Sequence, residues 1–186
     1  MNKGKFVKTL LAVAMLAALP AAPAQGAIEN TAPLQEAAAS NVPIKADAGQ
    51  IAKLLSDEGY RAKIETEKDG TPYIKSGSGG RNFTVYFLGC NGGVKLGPCS
   101  SIEFYTGFTT GKPFPIERTN EWNAKNRYGR TYVDKENDPV VEMDIYLDAG
   151  GMPRPQFIEN LQIWTDVMAD FDSFVFDDGT DAKKKK

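Results

Sequence analysis

Residues 119–151 read TNEWNAKNRYGRTYVDKENDPVVEMDIYLDAGG, and their reading decides the fold. The first part is polar apart from Trp122, which suits a short helix over about residues 117–128 with one large apolar anchor. Asn120, Asn123 and Arg127 fall on one face of that helix by their i, i+3, i+7 spacing. Two strands follow, over residues 130–133 and 141–147, joined by a turn at 134–138. In the second strand Val141, Met143, Ile145 and Leu147 point one way, while Glu142, Asp144 and Tyr146 point the other. That period of two marks a sheet with one buried face. Gly150 and Gly151 end the strand. Trp122, Asn120, Asn123, Gly150 and Gly151 are expected to be structural, with the asparagines satisfying nearby backbone groups.

C-terminal to this stretch, Phe157, Leu161, Trp164, Met168, Phe171 and Val175 recur at alternating spacings of four and three. This is an amphipathic helix whose stripe needs a covering surface. N-terminal to it, Asp47 opens a helix over residues 48–58, with Gln50 as a capping-box partner and Gly59 beyond the last turn. Strand signals follow at 60–66, 72–75, 83–88 and 102–108. Lys68-Asp69-Gly70 turns the first pair, and residues 77–80 (GSGG) read as a flexible break. The order is α-β-β-β-β-α-β-β-α. Short turns between consecutive strands make the sheet mainly antiparallel, so the class is α+β.

The ends read as addresses and tails. Lys3, Lys5 and Lys8 precede an apolar run at 9–19 and a small-residue stretch, the pattern of a secretory signal peptide. Cleavage after Ala24 fits Ala22-Pro23-Ala24, and cleavage as late as Ala27 is compatible. The run is shorter than the roughly 20 residues that span a bilayer. Residues 25–46 are expected to form a flexible leader, 47–176 the domain, and 177–186 a disordered charged tail ending in four lysines. The expected location is the periplasm or the medium, without membrane insertion after cleavage. Removing residues 1–24 changes the balance of 22 basic and 24 acidic residues to 19 and 24, so the formal charge moves from -2 to -5. Such a balance offers no electrostatic attraction for nucleic acid.

Cys90 and Cys99 are the only cysteines. An even pair in an exported chain reads as a disulfide, here closing a hairpin at its loop end. A redox pair is disfavoured, because the spacing is not C-x-x-C and no histidine is present to lower a thiol pKa. The absence of histidine also removes Ser-His and Cys-His catalysis and histidine metal sites. No phosphate-binding glycine motif has the required spacing. Asp134, Glu136 and Asp138 imitate half a calcium loop, but Pro139 stands where the turn glycine belongs, so a hairpin turn is expected. No catalytic, cofactor or metal residues are assigned. Glu103, Glu142 and Asp144 are expected to share a sheet face with Tyr86, Tyr105 and Tyr146. A solvated or covered face is the plainest reading, a partner-binding face the next, and acid/base catalysis the third.

The segment Asn120-Glu121-Trp122-Asn123, with Arg127-Tyr128, Tyr132-Val133-Asp134, the strand at 141–147 and Gly150-Gly151, resembles the YbjN family. That family is described as regulators of bacterial sensory transduction. The paired cysteines resemble those of its exported members. The resemblance implies a fold similar to type III secretion chaperones, which are small, often dimeric α+β proteins that bind polypeptides. It implies no catalytic residues. The functional expectation is a non-enzymatic exported binding module, chaperone-like or regulatory, with an unknown polypeptide partner or a second copy as its mate. A small carboxylate-based hydrolase and a self-assembling envelope protein are the alternatives.

Overall fold

The computed structural model describes residues 42–90, 99–147 and 150–176. The expected signal peptide, most of the leader, the interior of the cysteine loop and the lysine tail lie outside the described residues.

Three helices and six strands run in the expected order: α1 (Ala48–Asp57), β1 (Lys63–Thr66), β2 (Pro72–Ser78), β3 (Arg81–Leu88), β4 (Ser101–Gly107), α2 (Ile116–Lys125), β5 (Arg130–Val133), β6 (Pro139–Tyr146) and α3 (Arg154–Phe176). The strands form one sheet in the spatial order β1-β2-β3-β4-β6-β5, and every neighbouring pair is antiparallel. The class is α+β.

The core lies on one face of the sheet. Ile74, Val85, Phe104 and Met143 stand opposite one another across β2, β3, β4 and β6, and all four are buried. The stripe of α3 packs against them: Phe157, Leu161, Trp164, Met168, Phe171 and Val175 are all buried. Trp164 stacks on Phe104 with ring centroids 5.5 Å apart, and Phe83 meets it edge-on at 6.0 Å. Ile51, Leu54 and Leu55 of α1 join the same cluster. Burying each such side chain contributes about 1.5–3 kcal/mol.

Three local features differ from the sequence reading. Residues 77–80 are a tight turn joining β2 to β3, with Ser78 opposite Arg81 and positive φ at Gly79 (57°) and Gly80 (81°). Two consecutive positive φ values give the twist that a two-residue hairpin needs. Helix α2 stops at Lys125: Asn126 turns extended (φ −109°, ψ 139°), while its N–H (2.9 Å) and its side-chain amide (3.0 Å) both donate to the Trp122 carbonyl. Arg127 therefore lies beyond the helix. At the N-terminal side, Ile44 exchanges backbone bonds with Met152 (2.7 and 2.8 Å), and Ala46 accepts from Cys99. Ile44 and Ala46 are buried, so the last residues before α1 are tied into the domain.

Cys90 and Cys99 form a disulfide. It joins the end of β3 to the segment leading into β4, so it fastens two neighbouring strands.

Candidate functional site

The alternation that buries one face of the sheet sends the remaining side chains to the other. Register fixes their rows. Glu65, Tyr73, Tyr86, Glu103 and Asp144 lie across β1, β2, β3, β4 and β6 in one row. Lys63, Lys75, Thr84, Tyr105, Glu142 and Arg130 form the next. Tyr146 stands beyond them, opposite Ser101. The structure thus brings Tyr86, Glu103, Tyr105, Glu142, Asp144 and Tyr146 onto one face, opposite the helix-covered core. Tyr73, Tyr132, Glu65 and Lys75 share it and were not singled out from the sequence. Their signal was the parity of β2 and β5 relative to their neighbours, which needs the register as well as the pattern.

The tyrosines form a connected series. Tyr73 and Tyr86 have centroids 6.0 Å apart, and Tyr86 meets Tyr105 edge-on at 5.7 Å. Partial burial raises the phenol pKa values of Tyr86, Tyr105 and Tyr132, so these rings stay neutral hydroxyl donors at physiological pH. Tyr146 is 67% exposed.

The acids sit in different surroundings. Glu142 is only 4% exposed and is paired with Arg130, whose own side chain is mostly in solvent. Glu65 accepts from Lys75 (2.7 Å), Lys63 (2.9 Å) and the Tyr73 hydroxyl (2.7 Å). These donors, Lys75 foremost, lower its pKa to about 2. Glu103 faces Asp144 across the β4–β6 ladder. Burial, and then the Asp144 charge, raise the Glu103 pKa above its ordinary value, against a smaller opposing pull from the Arg130 cation. The pair stands on an open sheet rather than across a cleft.

Trp122 is buried, donates from Nε1 to the Gly129 carbonyl at 3.2 Å and packs edge-on against Phe171 at 4.9 Å. Gly129 has φ 77°, and a Cβ there would meet Val167 Cγ1 at 2.5 Å, so α3 approaches the backbone closely at this point. Asn123 Nδ2 donates to the Thr131 carbonyl, and its Oδ1 accepts from the Thr131 N–H, both at 3.0 Å. Asn120 is exposed. Gly151 has φ 74° and lies beneath the N-terminal segment: a Cβ would fall 2.7 Å from the Ile44 carbonyl oxygen. Gly150 has open space around it. Asp134 Oδ1 accepts from the N–H groups of Glu136 and Asp138, which makes residues 134–138 a hairpin turn.

A profile of the YbjN family, described as "Putative bacterial sensory transduction regulator", matches residues 47–177. The chain belongs to the YbjN family. No curated protein and no solved structure matches it. Within this YbjN domain the match spans everything from the α1 cap to the end of α3.

Proposed function

We propose that this YbjN protein is an exported, non-enzymatic module that binds another polypeptide through the open face of its sheet. The carrying observation is the one-sided cover: helices bury one face of six strands, while the other presents a connected row of tyrosines. Tyrosine offers large, rigid contact area with a polar tip, which is why it is enriched where proteins meet. The signal-like N-terminus and the disulfide support export. The family description supports a regulatory role, and the type III secretion chaperone-like fold that the family resemblance implies supports a polypeptide as the ligand. A homodimer is one form this binding can take. The acids support the non-enzymatic reading. Glu142 is committed to Arg130, and Glu103 and Asp144 lie side by side on an open surface. General acid/base work needs a reacting group held between an acid and a base.

The test is crosslinking and pull-down from the exported fraction, comparing wild type with a Tyr105→Ala/Tyr146→Ala double variant. A partner captured by wild type and lost in the folded variant supports the proposal. Equal capture by both moves the binding surface elsewhere.

A further inference from the structure

The open face carries a concavity of about 630 Å³. It lies toward the ends of β2, β3 and β4 where Gly77, Asn82 and Gly107 stand. Arg61, Lys63 and Lys75 supply its cations, and Asn82, Thr84 and Tyr105 its polar walls. Glu65 is the one acid among its lining residues and is shared by Lys63 and Lys75, so the lining keeps an excess of two positive charges.

A missing side chain helps to shape the hollow. A Cβ on Gly107 would sit 3.6 Å from the Tyr105 hydroxyl oxygen, which therefore reaches over bare backbone. Beside the hollow, a Cβ on Gly77 would sit 2.8 Å from the Arg81 carbonyl oxygen and 3.3 Å from Arg61 Nη2, so a side chain there would crowd the guanidinium. Arg61 is oriented there by Asn82 Oδ1 (2.7 Å) and the Ser76 carbonyl (3.3 Å), and both bonds use Nη2 alone. A positioned guanidinium, flanked by ammonium groups and a phenol hydroxyl, is a donor set suited to a carboxylate.

We propose that this concavity is an anion subsite, filled by an Asp or Glu side chain of an acidic segment in the bound polypeptide. The inference rests on the open face being a polypeptide-binding surface and adds the chemistry of what it selects. The charge order of the face agrees with it. The β1–β3 side carries the cationic excess, while Glu103 and Asp144 on β4 and β6 repel a continuous acidic run. The occupant is therefore a short acidic patch rather than a polyanion.

The test pans random peptides against the full chain. The affinities of enriched peptides are then measured for wild type, Arg61→Gln and Lys75→Gln, with thermal unfolding confirming that each variant is folded. The expected peptides carry Asp or Glu, and changing those residues to Asn or Gln weakens binding about tenfold or more. Arg61→Gln is expected to weaken the acidic peptide by a similar factor and to leave its amide analogue unchanged. If Arg61→Gln fails to fold, Lys75→Gln supplies the same comparison from an exposed side chain. Enriched peptides without acids, or acidic peptides indifferent to both substitutions, overturn the anion subsite while the polypeptide reading stands. If wild type enriches no peptide, both are overturned.

Discussion

At the scale of single residues, the opening stretch separates anchors from bystanders. Trp122 fills the space between α2 and α3, touching both Phe171 and Phe174. Trp122→Ala is expected to lower stability by about 3–5 kcal/mol, as large buried aromatics do, and chemical denaturation measures it. Asn123 and Asn120 carry the same side chain, three positions apart on one short helix, yet their neighbours differ. Asn123 imitates a strand by bonding both backbone groups of Thr131. Asn123→Ala should therefore cost about 1–2 kcal/mol, from two lost bonds and a backbone pair left to find water. Asn120→Ala should stay within about 0.5 kcal/mol, as exposed substitutions do. Equal effects at the two positions would mean that Asn123 is not holding β5. The sequence marked both asparagines as local satisfiers, because spacing alone put them on one face. Only the place where β5 passes distinguishes them.

At the scale of elements, legibility followed period. Helices α1 and α3, and strands β3, β4 and β6, repeat long enough for 3.6 and 2 to be told apart. Their order and buried faces were readable from the chain. Boundaries were less so, for physical reasons that sit in single groups. Asn126 turns extended and ends α2 at Lys125. Gly79 and Gly80 make a hairpin where flexibility was expected. Ile44 joins the fold through Met152, more than a hundred residues away, a pairing that no local pattern announces. The disulfide was legible because its signal is chemical rather than conformational. It joins Cys90 to Cys99 across a short loop. In the chain-entropy view such closure contributes roughly 2–3 kcal/mol, chiefly by restricting the unfolded chain. Unfolding under reducing conditions, or of a Cys90→Ala/Cys99→Ala variant, is expected to show a loss of that size with the same folded-state spectrum. A much larger loss, or a changed spectrum, would mean that the bridge also shapes the β3–β4 connection.

At the scale of the whole molecule, a sheet covered on one side exposes its charges to one another without helices to separate them. Its rows show two solutions. Glu65 is surrounded by donors, and its pKa near 2 records a carboxylate that the fold prefers charged. Glu103 is half-buried opposite Asp144, and its raised pKa records one that the fold prefers protonated. Linkage turns the second case into a stability prediction. A carboxyl whose pKa is higher folded than unfolded holds its proton more tightly in the native state. Its contribution is most favourable below the unfolded value and is lost as pH rises through the folded value. Above the folded value, then, ionised Glu103 stands against Asp144 at a cost to the folded state. Glu103→Gln keeps the shape, removes the charge and relieves that repulsion. The variant is expected to be more stable than wild type at pH 7, with the difference shrinking as pH falls below the ordinary glutamate range, where wild-type Glu103 is itself neutral. Thermal unfolding of both proteins from pH 3 to pH 8 measures the two curves. Parallel curves, or a variant less stable at pH 7, would show that the pull of Arg130 on Glu103 offsets burial and the Asp144 charge. A bound acidic peptide leaves the sign of this prediction unchanged, since its carboxylate sits by the Arg61, Lys63 and Lys75 cations and brings no positive charge to Glu103. A partner laying a lysine or arginine over β4 and β6 would reverse its sign, so the same two curves, measured with and without partner, report which half of the face each charge of the partner covers.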